Sequence, residues 1–157
     1  MISKKKENAQ VISQEKIAQD IYSMWVRTEA AAEAKPGQFI SMYTNDGSKL
    51  LPRPISICEI DKENGSLRVV YRVTGKNTGT EEFSKLQAGD TIPVIGPLGN
   101  GFPAEKAAGK RAFLIGGGIG VPPILELAKQ MECEKKQIIA GYRDAETFLR
   151  EEFEQNG

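Results

Sequence analysis

The feature that most restricts the fold lies between residues 111 and 142. Arg111-Ala112-Phe113-Leu114-Ile115 reads as a short apolar strand and runs directly into Gly116-Gly117-Gly118-Ile119-Gly120. Val121-Pro122-Pro123 then opens a helix to about Met131, with Ile124, Leu125, Ala128 and Met131 on one apolar face. Both prolines suit a first helical turn, whose N–H groups have no intrahelical acceptor. Gln137 to Tyr142 is a second strand. Strand, glycine loop, helix, strand is a βαβ unit, which requires a parallel sheet and a right-handed crossover. A polar segment from Ala145 to Gln155 reads as a closing helix. Two strands and two helices do not complete a doubly wound sheet, so a face or edge of this unit is bare, covered by a partner, or missing.

The preceding hundred residues follow a different pattern, of short alternating segments separated by turn signals. Gln10 to Ser13, Asp20 to Val26 and Gln38 to Tyr43 each read as strands. Ala30 to Ala34 is cut short by Pro36-Gly37 and reads as a loop or single turn. Ile55 to Ile60 and Leu67 to Val73 flank a polar loop ending in Asn64-Gly65, a hairpin with Leu67, Val69, Tyr71 and Val73 on one face. A short helix from Thr80 to Leu86 and a strand from Thr91 to Ile95 follow. This spacing predicts a small antiparallel β-barrel before the α/β unit, with domains at 1–103 and 104–157.

Composition narrows the chemistry. The chain has no histidine, which removes histidine-based nucleophilic catalysis, histidine metal ligation and histidine proton shuttling. Cys58 and Cys133 are its only cysteines, too few for a zinc ribbon or a four-thiolate cluster. No catalytic or metal-ligating side chain is assigned, and difficult chemistry is expected to belong to a cofactor. Lysine plus arginine balances aspartate plus glutamate at 21 each, so no global field draws the chain onto nucleic acid or an anionic membrane. The cluster Lys4-Lys5-Lys6 reads as a solvated end. No apolar run spans a bilayer and no secretory signal is evident, so a cytoplasmic protein is expected.

Four segments could bind a ligand. Leu51-Pro52-Arg53-Pro54-Ile55-Ser56 holds a guanidinium between two prolines at the start of a strand. Such a fork suits a diphosphate, although a solvent-facing arginine fits the same residues. Asn77-Thr78-Gly79-Thr80-Glu81 starts a helix, and Thr78 with Glu81 matches a capping box; its amides could instead receive a phosphate. Gly96-Pro97-Leu98-Gly99-Asn100-Gly101-Phe102 is an irregular crossing in which Phe102 covers a ring or fills the seam between units. The glycines at 116–120 fit a nucleotide phosphate or a bare tight turn.

The order of these segments resembles the ferredoxin–NADP reductase superfamily, in which an FAD-binding antiparallel barrel precedes a pyridine-nucleotide domain. The Arg-Pro-Ile-Ser version, with the 96–102 loop and Gly-Gly-Gly-Ile-Gly-Val-Pro-Pro, is similar to one branch from about Val11 to Phe153. That branch is the electron-transfer subunits of NAD-dependent dihydroorotate dehydrogenases. The resemblance implies an FAD site made by Arg53, Pro54, Ile55, Ser56, Val70, Tyr71, Arg72, Asn77 and Thr78, with Arg53 on the diphosphate and Ser56 near the flavin N5 edge. Ile55 stands where the superfamily usually has an aromatic residue, which implies an aliphatic contact with the flavin. Asn77 replaces the branch's usual glycine and is expected to take a left-handed backbone.

Gly117, Gly118 and Gly120 would begin an incomplete Rossmann-like NAD site. The branch continues to a C-terminal cysteine cluster holding a 2Fe-2S centre, and neither Cys58 nor Cys133 matches it. The length therefore reads as a truncation. The implied function is passage of electrons from dihydroorotate oxidation to NAD in pyrimidine biosynthesis, beside an FMN-containing dihydroorotate dehydrogenase catalytic subunit. A reductase subunit of a ferredoxin-linked transhydrogenase or a sulfide dehydrogenase is the alternative within the superfamily. A non-catalytic FAD-binding interaction module, which keeps the barrel but has lost turnover, is the alternative of another functional class.

Overall fold

A computed structural model describes residues 6–157. Lys4 and Lys5 of the basic cluster lie outside the described residues, while the ammonium of Lys6 sits 3.9 Å above the ring centre of Tyr43. Six antiparallel strands close a barrel: β1 (Glu7–Ala18), β2 (Ile21–Arg27), β3 (Phe39–Met42), β4 (Arg53–Asp61), β5 (Ser66–Arg72) and β6 (Thr91–Leu98). Around the barrel they run β1-β2-β5-β4-β3-β6, and β1 pairs with β6 to close it.

Period-two patterning sets the lumen. On β5, Leu67, Val69 and Tyr71 enter a core shared with Met24, Val26, Ile40, Met42, Ile57 and Val94. Arg68, Val70 and Arg72 alternate to the outside. Thr28 caps a 3-10 turn at Glu29–Ala32, and Ala30, Ala31 and Ala34 join the same core.

Two strands are longer than their local sequence predicts. β1 has 12 residues although its second half is polar, because it is held along one side by β2 and at its start also by β6. β6 continues through Gly96-Pro97-Leu98, so part of the expected irregular loop is barrel wall. A Cβ on Gly96 would fall 2.5 Å from Ile40 Cγ2 in the lumen, which explains a glycine within this strand. Phe102 neither fills the seam between units nor covers the groove described below. It packs on Gly37, whose φ is +89°, and donates its amide to the Pro36 carbonyl at 2.8 Å.

α1 (Gly79–Ser84) bridges β5 and β6. The second unit has a parallel pair, β7 (Arg111–Gly117) and β8 (Lys135–Gly141), joined through α2 (Pro123–Gln130) and followed by α3 (Arg150–Glu154). β7 extends past Ile115 because Gly116 and Gly117 pair with Ala140 and Gly141. α3 is shorter than the expected 145–155 helix; Leu149, at φ +64°, stands outside its first turn. α2 buries Ile124, Leu125, Leu127 and Ala128 in a second core with Ile21, Cys58 and Val70 from the barrel's outer wall.

Candidate functional site

The start of β4, the end of β5 and the entry to α1 enclose a groove of about 310 Å³. Arg53, Pro54, Ile55, Ser56, Val70, Tyr71 and Arg72 line it, so seven of the sequence-predicted residues come together. Thr74, Thr80 and Ile119 complete the lining and were not among the predicted residues. Thr74 and Thr80 are joined, the Thr74 amide donating to Thr80 Oγ1 at 3.1 Å. Ile119 reaches the groove from the second unit. It had been visible only as the non-glycine residue inside the glycine run.

Proline on both sides aims Arg53, whose Nη1 donates to the Leu51 carbonyl at 2.6 Å. Its guanidinium also lies over Gly79, where a Cβ would meet Nε at 3.1 Å and Cζ at 3.2 Å. A cation therefore sits beside the first residue of α1. The N–H groups of Gly79 and Thr80 have no intrahelical acceptor there, and the helix dipole is positive. Among the described residues, no carboxylate oxygen comes within 4.0 Å of Arg53 or Arg72. Two unpaired guanidinium groups, free amides and apolar walls form a donor set that fits an anionic group joined to a flat apolar one. The diphosphate and ring system of FAD have that chemistry.

Tyr71 forms its part of the wall from inside the barrel. Its hydroxyl donates to Gln14 Oε1 at 2.6 Å, and burial, with the neighbouring Tyr22 hydroxyl, pushes its pKa well above the ordinary phenol range. Its ring stacks on Tyr22 and meets the Phe83 edge, each with centroids 6.0 Å apart. Asn77 and Thr78 do not line the groove; they shape the turn at its end. Asn77 has φ +59°, and its amide donates to Glu81 Oε2 at 2.6 Å, while Thr78 Oγ1 accepts the Glu81 amide at 3.2 Å. The cap is reciprocal, as expected, but Glu81 reaches one residue further back than a standard capping box.

The glycines divide by role. A Cβ on Gly116 would meet the Gly120 carbonyl at 2.9 Å, so this residue serves the tight strand-to-helix turn. Gly117 and Gly120 face open space. Gly118, at φ +53°, lines a second cavity of about 400 Å³ at the seam, with Arg72, Tyr142 and Arg143. Arg72 lines both spaces. Cys58 is fully buried at the seam, where desolvation pushes its thiol far up, and Cys133 lies beyond the end of α2. Two thiols so placed do not fit a 2Fe-2S centre, which takes four ligands.

A barrel with this groove on its wall and a βαβ unit against its side has the architecture of a flavin-dependent reductase. Residues 8–102 match the family model described as Oxidoreductase FAD-binding domain, and the chain belongs to that family. It is 43% identical over 151 residues to the Streptococcus mutans protein named Dihydroorotate dehydrogenase B (NAD(+)), electron transfer subunit, spanning 94% of this chain and 57% of that protein. The protein of the same name from Bacillus caldolyticus is 43% identical over 154 residues, spanning 94% and 59%. The chain thus spans somewhat under three-fifths of the length of these curated relatives. Among solved structures, the NADH-dependent reduced ferredoxin-NADP oxidoreductase superposes with a TM-score of 0.76 at 29% identity, covering 89% of this chain and 50% of that one. Phthalate dioxygenase reductase superposes at 0.74 and 26% identity, covering 96% and 50%. No helix among the described residues is long and apolar enough to cross a membrane.

Proposed function

We propose that this chain is the FAD-binding portion of an electron-transfer subunit that carries electrons from dihydroorotate oxidation to NAD in pyrimidine biosynthesis. Its partner on this reading is an FMN-containing dihydroorotate dehydrogenase catalytic subunit, in the cytoplasm. The observation that carries the reading is the groove in which Arg53 and Arg72, both without a carboxylate partner among the described residues, flank an apolar wall.

Arg53 holds the diphosphate, with its guanidinium braced by the Leu51 carbonyl and seated over Gly79. Asn77 and Thr78 fold the turn that leaves the first amides of α1 free for the same group. Ile55 and Val70 give the ring system an apolar seat, and Ser56 offers it a hydroxyl. Pro54, Tyr71 and Arg72 complete the wall. Bound there, FAD supplies the exchange between two-electron and one-electron transfer, which no side chain of this groove can perform. Gly117, Gly118 and Gly120 contribute to the nicotinamide nucleotide site on this reading. The 2Fe-2S centre expected of such subunits would likewise be held elsewhere than on Cys58 and Cys133.

The test is reconstitution of the full-length protein that carries these residues with a dihydroorotate-oxidising FMN subunit. The reading expects NAD reduction on adding dihydroorotate. Electron transfer with reduced ferredoxin alone would favour a transhydrogenase-type reductase instead, a reading supported by the 29% identity to the ferredoxin-NADP enzyme. FAD binding without any NADH-dependent dye reduction would leave a non-catalytic binding module.

A further inference from the structure

The joint between barrel and second unit is built around an irregularity in β4. Ile57 pairs with Val69 and Glu59 with Arg68, so Cys58 is an extra residue that no β5 residue opposes. A bulge of this kind breaks the alternation of side chains and re-aims those beside it. Ile57 and Ile60 both contribute to the barrel core. Cys58 and Glu59 both turn outward, beneath α2.

Cys58 is buried against the apolar face of the helix, with Val121 and Leu125 in the same cluster. Glu59 is clamped by Arg68 Nη1 at 2.5 Å and by the Lys129 ammonium of α2. Arg68 is itself held by Ser23 Oγ at 2.8 Å and by Glu152 of the α3 helix at 3.3 Å. The next amide, Ile60 N–H, donates to Glu126 Oε2 at 2.8 Å, and Gln130 Nε2 donates to the other oxygen at 2.6 Å. Glu126 is 5% exposed and lies in the first turn of α2, just beyond the Gly118–Gly120 turn that carries Ile119 into the groove.

Apolar packing is non-directional, so the Val121–Leu125 face could rest on the barrel in several rotations with similar burial. A buried carboxylate accepting one specific amide cannot, because slippage leaves the Ile60 amide unpaired and removes the donor from one carboxylate oxygen, while the Gln130 bond, made within α2, does not replace it. We propose that Glu126 is a positioning residue: by accepting the Ile60 amide at the β4 bulge, it fixes the seat of α2 on the barrel. In doing so it fixes the placement of Ile119 at the FAD groove and of Gly118 at the neighbouring cavity. The consequence for FAD rests on the reading given under Proposed function; the joint itself does not.

The test compares Glu126→Leu with Glu126→Gln in the 157-residue chain, since glutamine keeps an acceptor for Ile60 N–H. Residual dipolar couplings report the orientation of the βαβ unit relative to the barrel, and a fluorescence titration reports FAD affinity. The expected result is a reoriented unit and about tenfold weaker FAD binding in Glu126→Leu, with both restored in Glu126→Gln. If the leucine variant does not fold, Glu126→Asp, whose carboxylate is one methylene too short, is expected to give the same reorientation. Loss of thermal stability with unchanged orientation and unchanged FAD affinity would overturn the proposal. Reorientation in a chain whose wild type binds no FAD would uphold the joint and remove the FAD reading alone.

Discussion

Arg53→Ala tests how the groove works more sharply than any other single change. The Arg53 guanidinium makes one backbone hydrogen bond, to Leu51, and among the described residues has no carboxylate partner. Apart from that bond, its N–H donors remain for a ligand. A bidentate contact to a diphosphate makes two charge-assisted hydrogen bonds, each worth roughly 1.5–3 kcal/mol. The groove is open to solvent, so the lower end of the range applies to each bond, and the pair contributes about 3 kcal/mol. That corresponds to a loss of about 150-fold in FAD affinity. Arg53→Lys keeps the charge but not the fork, and about one bond's worth, roughly tenfold, should be lost. Neither substitution removes a core side chain, so thermal stability without ligand should stay within about 0.5 kcal/mol of wild type. The assay is an FAD titration followed by flavin fluorescence, with Arg27→Ala as a control, at the end of β2 away from Ile21, which pairs with Arg72 of the groove. If Arg53→Ala binds FAD within about threefold of wild type, or no worse than the control, the assignment of the diphosphate to Arg53 is refuted.

Gly79→Ala should separate stability from binding: alanine favours the helix, yet its Cβ would meet the Arg53 guanidinium at 3.1–3.3 Å. Unfolding in denaturant should show equal or greater stability while the same titration shows weaker FAD binding; unchanged affinity would mean the guanidinium does not need its present seat. Acid stability should report the seam. Burial pushes the Glu59 carboxyl up, but the hydrogen bonds from Lys129 and Arg68 outweigh it and hold the pKa below the ordinary range. A carboxyl that binds protons less readily when folded stabilises fully above its unfolded pKa, about 4.3, and loses that stabilisation as pH falls through the lower folded value. Glu59→Gln should therefore flatten the fall in stability below about pH 4.3 by up to roughly 1.4 kcal/mol per pH unit. An unchanged slope would remove Glu59 from the acid response.

The sequence discloses the parts of this molecule that depend on local patterning. The alternation of Leu67, Val69 and Tyr71 against Arg68, Val70 and Arg72 predicts which face of β5 enters the lumen, and the structure agrees. The glycine run after an apolar strand predicts the βαβ unit, and Arg53 between two prolines marks the groove. Features that depend on distant partners were not legible. The polar second half of β1 becomes a strand only because β2 lies along it. Strict alternation from Ile55 would point Glu59 into the lumen, but the bulge at Cys58 sends it out to Arg68 and Lys129. Thr74, Thr80 and Ile119 reach the groove through the turn after β5 and across the seam, where periodicity carries no information. Phe102, read as covering a ring or filling the seam, does neither, because the left-handed Gly37, which the sequence does not place beside it, supplies the surface it packs on.

Direct titration tests whether these 157 residues hold a competent FAD site. The purified chain, shown to be folded by circular dichroism, is mixed with rising FAD while flavin fluorescence and the visible spectrum are recorded. Saturable one-to-one binding is expected, with a Kd of about micromolar or tighter and a perturbed flavin spectrum. A folded chain that leaves FAD fluorescence and absorbance unchanged at about a hundred times that concentration would contradict it.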